Sequence, residues 1–277
     1  MADAEGGGTF TISVVVIEDV SLSLMVMMVT VMLCYYIRIN LRNVIPLRQQ
    51  YLAMEFIFTF QLCFLLHEFW VLFEVGKIDK PIILPFLYAT IVVHVLTSTC
   101  AECSPSTTFH HMMTGRSSLT KATEKLFFQF IAAALAWLAA TKLHKLGLTR
   151  VHGAVEPECT PHLHSSVAEG VAVEMGCAFV FHCVLHLLTH TWYRVHVIGL
   201  THVALMQAAG HLTGAMFNPA VALSLNFFCK GTNISDNMFV YWLGPIAGMI
   251  LAVALFDHIF PTLKRLTGGE TGTLKID

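Results

Sequence analysis

Charged residues are scarce in this chain. Only 12% of its 277 residues are Asp, Glu, Lys or Arg, whereas a typical soluble domain contains about 25%. Hydrophobic residues make up 56% of the sequence, and the mean hydropathy is +0.68. This composition excludes an ordinary soluble domain and predicts a multi-pass protein of the lipid bilayer, and we expect no nucleic-acid partner.

Targeting signals are also lacking. The N-terminus has no positively charged region of the kind that begins a secretory signal peptide, so the first apolar segment is expected to remain as a helix. Residues 273–277 contain no retention tetrapeptide and therefore do not identify a compartment. A glycosylation sequon is present at Asn233.

The sequence contains long apolar stretches. Seven of them are roughly long enough to span a membrane, and they lie near residues 12–37, 53–74, 82–98, 123–143, 168–189, 195–212 and 238–260. If these segments alternate in direction, ten of the sixteen Lys and Arg residues fall on one side, which is predicted to be cytoplasmic. The N-terminus then faces a lumen or the exterior.

An unusual helix start lies at Asn218-Pro219-Ala220. Asn is a favoured N-cap and Pro a favoured first helical residue, so a new helix is predicted to begin at Pro219. The apolar run to Cys229 covers only about half of a hydrocarbon layer of roughly 30 Å. A half-helix inside a membrane is tolerated where it lines a cavity.

The chain contains an internal repeat. Glu55 and Glu174 lie early in corresponding spans, and each is followed twelve residues later by His. Ser104-Pro105 corresponds in the same order to Asn218-Pro219. Each copy comprises two spans, a half-helix and a third span, so consecutive copies are predicted to be inverted.

The repeat divides the chain into five predicted parts. They are an N-terminal segment with an extra apolar helix (1–48), a first repeat with a half-helix at about 105–114 (49–145), an extramembrane loop (146–166), a second repeat with a half-helix at about 219–229 (167–262), and a cytoplasmic tail (263–277).

Residues 50–260 resemble the aquaporin, or major intrinsic protein, family, most specifically at the sequence Gly214-Ala215-Met216-Phe217-Asn218-Pro219-Ala220-Val221. The degenerate first motif and the additional N-terminal segment resemble the unorthodox intracellular branch called superaquaporins. The resemblance implies an all-α membrane fold with six transmembrane helices and two re-entrant half-helices in an inverted repeat. It also implies a homotetramer with a pore in each subunit, located in an intracellular membrane such as the endoplasmic reticulum.

A passive channel for water, and for small neutral solutes such as glycerol or hydrogen peroxide, is therefore expected, without catalysis, cofactor or metal. The predicted pore motifs are Cys103, Ser104, Pro105 and Ser106 in the first repeat, and Asn218, Pro219 and Ala220 in the second. Asn218 can cap its helix and offer N–H groups to water, whereas Ser104 offers a single hydroxyl.

The predicted filter lacks a feature typical of the family. Where the resemblance implies Arg directly after the second motif, this chain has Val221. Met206, twelve residues before Asn218, lies where the family often has His. An apolar filter is expected to hold water less firmly and to admit small neutral solutes.

Three carboxylates need an explanation at membrane depth. By resemblance, Glu55 and Glu174 brace the loops that precede the half-helices. Glu102 lies two residues before Ser104, where a negative charge would favour cations. It could be protonated, paired with a nearby His, turned away from the pore, or satisfied by backbone donors of the loop.

Fifteen His residues leave a second hypothesis open. His182, His186 and His190 form a stripe along one predicted helix, a spacing used by metal transporters and by membrane di-metal oxidoreductases. The acidic partners that would complete such a site are not evident on neighbouring spans. The loop 146–166 is also rich in His, which is compatible either with weak metal binding or with an ordinary solvated loop.

Overall fold

The computed structural model describes residues 14–98, 101–155, 159, 161–188 and 191–261, and within these ranges it contains helices and no strand. The helices are α1 Val14–Val44, α2 Leu47–Trp70, α3 Lys80–Thr97, α4 Pro105–Met113, α5 Leu119–His144, α6 Arg150–Gly153, α7 Val167–Leu187, α8 Arg194–Thr213, α9 Pro219–Ala222, α10 Ile234–Met238 and α11 Gly244–Val253. Wider, π-type turns extend α2 as Val71–Val75, α9 as Leu223–Phe227, α10 as Phe239–Leu243 and α11 as Ala254–Ile259.

Within the described residues, six helices are long and apolar enough to cross a membrane. They are α1, α2 with its extension, α3, α5, α7 and the continuous helix Ile234–Ile259 that contains α10 and α11. Helix α8 is 20 residues long, but Arg194, Gln207 and three His residues make it more polar than the six. The predicted all-helical membrane architecture is confirmed, with α1 as the additional N-terminal helix. The predicted cytoplasmic tail lies outside the described residues.

The two half-helices begin at the predicted prolines. Helix α4 starts at Pro105 and ends at Met113, and Gly115 follows in the left-handed conformation (φ +71°), which favours glycine. The second half-helix, defined as α9 with its extension, runs from Pro219 to Phe227. It is two residues shorter than expected because the backbone N–H of Cys229 turns back to the Asn226 carbonyl.

Small residues allow the second repeat to pack closely. Gly244 and Gly248 on α11 face helix α7. A Cβ atom added at Gly248 would lie 2.1 Å from the Met175 carbonyl oxygen, so only glycine permits this approach of the two backbones. In the first repeat, Ala132, Ala136 and Ala140 line the fully buried face of α5, which packs against α2.

Helix α1 lies against α2 and α3, outside the two repeats. Arg38 donates a 2.7 Å hydrogen bond to the Thr97 carbonyl at the end of α3. At the opposite end of α1, the buried Asp19 pairs with Arg150 and accepts from the Val151 backbone N–H. The remaining face of α1 exposes apolar side chains such as Met28, which suits contact with lipid.

A disulfide joins Cys159, in the segment between the repeats, to Cys229, just after the second half-helix. The same segment is held by three further contacts. The backbone N–H of His162 donates to Asn226 Oδ1, that of His164 donates to the Leu212 carbonyl, and that of Lys230 donates to the Cys159 carbonyl. The extramembrane segment therefore lies against the second half-helix.

Candidate pore

Glu55 holds the loop before the first half-helix. Its carboxylate is fully buried on α2 and accepts the backbone N–H groups of Glu102 and Cys103 at 2.9 and 3.1 Å. Gln129 on α5 donates a third hydrogen bond, at 3.0 Å. These partners satisfy the Glu55 carboxylate and two backbone donors of an irregular segment.

Glu174 occupies the equivalent place in the second repeat. It is fully buried on α7 and accepts the backbone N–H groups of Met216 and Phe217 at 3.1 and 2.6 Å, together with the Thr213 hydroxyl. In both repeats, the two donors are the residues immediately before the N-cap. The internal symmetry seen in the sequence thus extends to individual hydrogen bonds.

The braced backbone is strained. Cys103 and Phe217 each directly precede an N-cap, and both have positive φ values, +54° and +33°. A non-glycine residue in this region costs on the order of 1–3 kcal/mol. A hydrogen bond contributes about 0.5–1.5 kcal/mol, so the two backbone hydrogen bonds that each carboxyl group accepts are comparable in size to this strain.

The tips of the two half-helices meet. Asn218 caps its own helix, because its Oδ1 accepts from the Ala220 N–H, and its Nδ2 donates a 2.9 Å hydrogen bond to the Cys103 carbonyl of the other loop. Ser104 is the N-cap residue of α4, but its hydroxyl makes no capping hydrogen bond there. The described residues thus place the tips of both half-helices side by side.

A cavity of about 610 Å³ passes these tips and is lined by residues of both repeats. Cys103, Ser104 and Asn218 border it, whereas Ser106 and Ala220 are fully buried beside them. Pro105 and Pro219 start the two helices and are also buried. Arg116 follows α4 and Arg194 begins α8, and the part of the cavity that these two residues line is here called the basic mouth. Gly214, just after the other end of α8, lies beside Trp70 and Met216, and the part that these three residues line is here called the Trp70 mouth.

The predicted filter residues face the same cavity. Val221 and Met206 both line it, together with Leu62, Leu66 and Met216. Among the described lining residues, the side chains of the Asp, Glu, Lys and Arg type are Glu102, Arg116 and Arg194. None of these three belongs to the Trp70 mouth, so that part of the cavity is apolar and uncharged.

His162 lies beside the Trp70 mouth. Its ring packs on Trp70, with centroids 4.4 Å apart. Burial lowers the pKa of His162 to about 4, so the ring is neutral at physiological pH and adds no charge at this end.

Glu102 is paired with two basic groups. Its Oε1 lies 2.5 Å from Lys125 Nζ and 2.6 Å from His111 Nδ1. Lys125 also lies 3.4 Å from Glu55, so one ammonium group serves two carboxylates. The sequence left several possibilities for Glu102, and the structure shows the one in which it pairs with a nearby His, His111. Lys125 is a second partner that the sequence did not indicate.

The predicted histidine stripe is only partly described. The rings of His182 and His186 lie 5.6 and 5.7 Å from that of His110, and His186 also pairs with Asp257. His190 lies outside the described residues. Among the residues that the structure describes, the group of three with metal-ligand spacing is found elsewhere, at Glu68, His144 and His152.

Sequence reasoning missed several residues of the site. Lys125 and Gln129 both lie on α5, and each reaches Glu55 from more than 60 positions away in the chain. His94 and His202 line the cavity without any motif to indicate them. The disulfide was missed because Cys159 and Cys229 are 70 residues apart, and spacing alone does not identify a pair.

Comparison with known proteins identifies the family. The sequence profile described as Major intrinsic protein matches residues 82–256, which is more than half of the chain. The chain belongs to the major intrinsic protein family. Aquaporin-11 of Homo sapiens is 31% identical over 254 residues, which cover 90% of this chain and 93% of that protein. Aquaporin-12 of Mus musculus is 32% identical over 193 residues, which cover 68% of this chain and 67% of that protein.

These relatives confirm the resemblance to the superaquaporin branch. The X-ray structure of the aquaglyceroporin from Plasmodium falciparum superposes with a TM-score of 0.64, covering 78% of this chain and 98% of that chain. At 17% sequence identity, the similarity shows a shared fold. The predicted aquaporin-like fold, and the assignment as a multi-pass membrane protein, are therefore confirmed.

We expect Glu174→Gln to destabilise the protein by about 1–3 kcal/mol, because an NH2 donor replaces one of the two carboxyl oxygens that accept the Met216 and Phe217 N–H groups. Thermal unfolding of the purified protein in detergent would measure the change. Glu74→Gln is the matched control, because Glu74 pairs with Lys77 in an exposed ion pair that contributes little. Equal melting temperatures for the two variants would contradict a bracing role for Glu174.

Proposed function

We propose that this chain forms a passive channel for water and for small neutral solutes such as glycerol or hydrogen peroxide. The observation that carries the proposal is the cavity that passes both half-helix tips, where Asn218 and Ser104 border a single path. Membership of the major intrinsic protein family supports it.

Electrostatics at the tips favour neutral solutes. Each helix N-terminus carries roughly half a positive elementary charge, and the two N-termini adjoin the same part of the cavity. Cations and protons are disfavoured there. The Nδ2 group of Asn218 uses one N–H on the Cys103 carbonyl, which leaves its second N–H to donate to a passing water or hydroxyl group.

The filter region supports permeation by solutes larger than water. Val221 and Met206 line an apolar part of the cavity where a guanidinium group would otherwise narrow the path and bind water. An apolar wall also accommodates the carbon atoms of glycerol.

Paired charges support low cation conductance. Glu102 borders the cavity near the first tip, but Lys125 and His111 both contact its Oε1. We infer that Lys125 compensates the carboxylate, so that Glu102 does not attract cations into the pore.

The disulfide supports the predicted topology. Disulfides persist in oxidising compartments, and Cys159 and Cys229 belong to the side that the Lys and Arg distribution assigns to the lumen or exterior. We propose an endoplasmic reticulum or other intracellular membrane, with the Trp70 mouth on the lumenal side and the basic mouth on the cytosolic side. We also propose a homotetramer, as the family resemblance implies.

The channel proposal is tested by stopped-flow light scattering on proteoliposomes. We expect the protein to raise water and glycerol permeability above that of empty vesicles, and Asn218→Ala to reduce both severalfold because the donor at the junction of the tips is removed. Asn233→Ala is the matched control, since Asn233 caps the exposed start of α10 in the same way. Permeability equal to that of empty vesicles would exclude a channel for these solutes.

Selectivity is tested at Val221. We expect Val221→Arg to lower glycerol permeability severalfold more than water permeability, because a guanidinium group would narrow an apolar wall and hold water. The variant Val221→Met introduces an uncharged side chain closer in length to arginine, and it therefore separates the effect of size from that of charge. If neither variant changes the ratio of glycerol to water flux, Val221 does not lie at the filter.

Charge compensation is tested at Lys125. We expect Lys125→Met to raise the cation leak of proteoliposomes, because it leaves Glu102 and Glu55 without their shared ammonium group. Glu102→Gln removes the charge itself and is expected to leave the leak at the level of the unmodified protein. A higher cation leak in Glu102→Gln than in Lys125→Met would contradict charge compensation by Lys125.

A further inference from the structure

A second polar cluster lies outside the pore. Glu68 in the last turn of α2, His144 at the end of α5 and His152 on α6 meet at the same end of the molecule as the disulfide. All three side chains are buried, with exposed fractions of 0, 4 and 1%. One donor atom from each lies within 4.8 Å of the others.

The spacing of these atoms matches that of metal ligands. His144 Nε2 lies 3.0 Å from Glu68 Oε1, and His152 Nε2 lies 3.2 Å from Glu68 Oε2. Two ligands bound at about 2.0–2.1 Å to a tetrahedral ion are separated by roughly 3.3 Å. Two imidazoles and one carboxylate form an established ligand set for zinc that leaves a fourth position for water.

Glu68 differs from the other described buried carboxylates in its partners. The other buried carboxylates have compensating partners: Asp19 pairs with Arg150, Glu55 lies near Lys125, and Glu174 accepts backbone N–H groups. For Glu68, the described hydrogen-bond and ion-pair partners are the two imidazoles. A divalent cation bound by all three groups would compensate the charge of the buried carboxylate.

The cluster joins separate parts of the chain. The ring of His152 makes no other hydrogen bond among the described residues, since its Nδ1 is buried without a partner. The hydrogen bond to Glu68 is therefore the one that this ring makes among the described residues. An ion held by these three side chains would fix α6, and with it the segment between the repeats, to the ends of α2 and α5.

We propose that Glu68, His144 and His152 form a binding site for a divalent transition-metal ion, with zinc as the ion to test. The site lies apart from the transport path, because none of the three residues lines the cavity. It is independent of the proposed channel activity.

The test measures metal content in the full-length chain, produced with a tag that contains no histidine, supplied with zinc during expression and purified in detergent. We expect about one zinc ion per chain by elemental mass spectrometry of the acid-digested protein. Zinc is supplied during expression because the three ligands are buried in the folded protein. Cobalt supplied instead of zinc should give the visible absorption of a tetrahedral ion.

Variants assign the metal to this site. Glu68→Gln and His152→Ala should lose the bound zinc and the zinc-dependent rise in melting temperature, whereas His164→Ala, an exposed histidine of the same segment, should keep both. Metal content is measured on the monodisperse fraction. If a variant does not fold, the metal content of the unmodified protein still tests the proposal. No zinc or cobalt in that protein, or zinc retained in both folded variants, would overturn the proposal and leave a hydrogen-bonded Glu–His cluster.

Discussion

Irregular backbone at the centre of a membrane protein needs internal hydrogen-bond partners, and two buried carboxylates supply them here. Lipid cannot satisfy the N–H groups of the loops that turn into the half-helices, and the donors of these loops that face the protein interior need acceptors from neighbouring helices. Glu55 and Glu174 each accept two consecutive backbone donors and thereby hold a non-glycine residue at positive φ. The position of each half-helix tip, and hence the shape of the cavity, depends on these bonds.

The two braces are symmetrical in geometry but differ in charge. Lys125 lies beside Glu55, whereas the described partners of Glu174 are backbone N–H groups and the Thr213 hydroxyl. The cavity has a matching asymmetry, with Glu102, Arg116 and Arg194 towards the basic mouth and an apolar wall towards the Trp70 mouth. The surroundings along the cavity therefore change from charged at the basic mouth to apolar at the Trp70 mouth.

The sequence predicts the features that depend on local rules. Helix starts at Pro105 and Pro219 follow from the conformational limits of proline and its N-cap. The repeat is recognisable because Glu55 and Glu174 precede their motifs in the same order, apart from five extra residues in the first half. Features that depend on distant side chains could not be predicted. Lys125 reaches Glu102 from another helix, and Glu68 meets two histidines about 76 and 84 positions later, contacts that no local pattern encodes.

The hydrogen bond from Asn218 to the Cys103 carbonyl connects the two repeats at their most constrained points. Each end of this bond belongs to a loop that is anchored to its own repeat, through Glu174 on one side and Glu55 on the other. The half-helices are thus mechanically linked, and displacing one tip pulls on the other. Independent movement of a single half-helix would require this hydrogen bond to break first, so the bond couples the two tips.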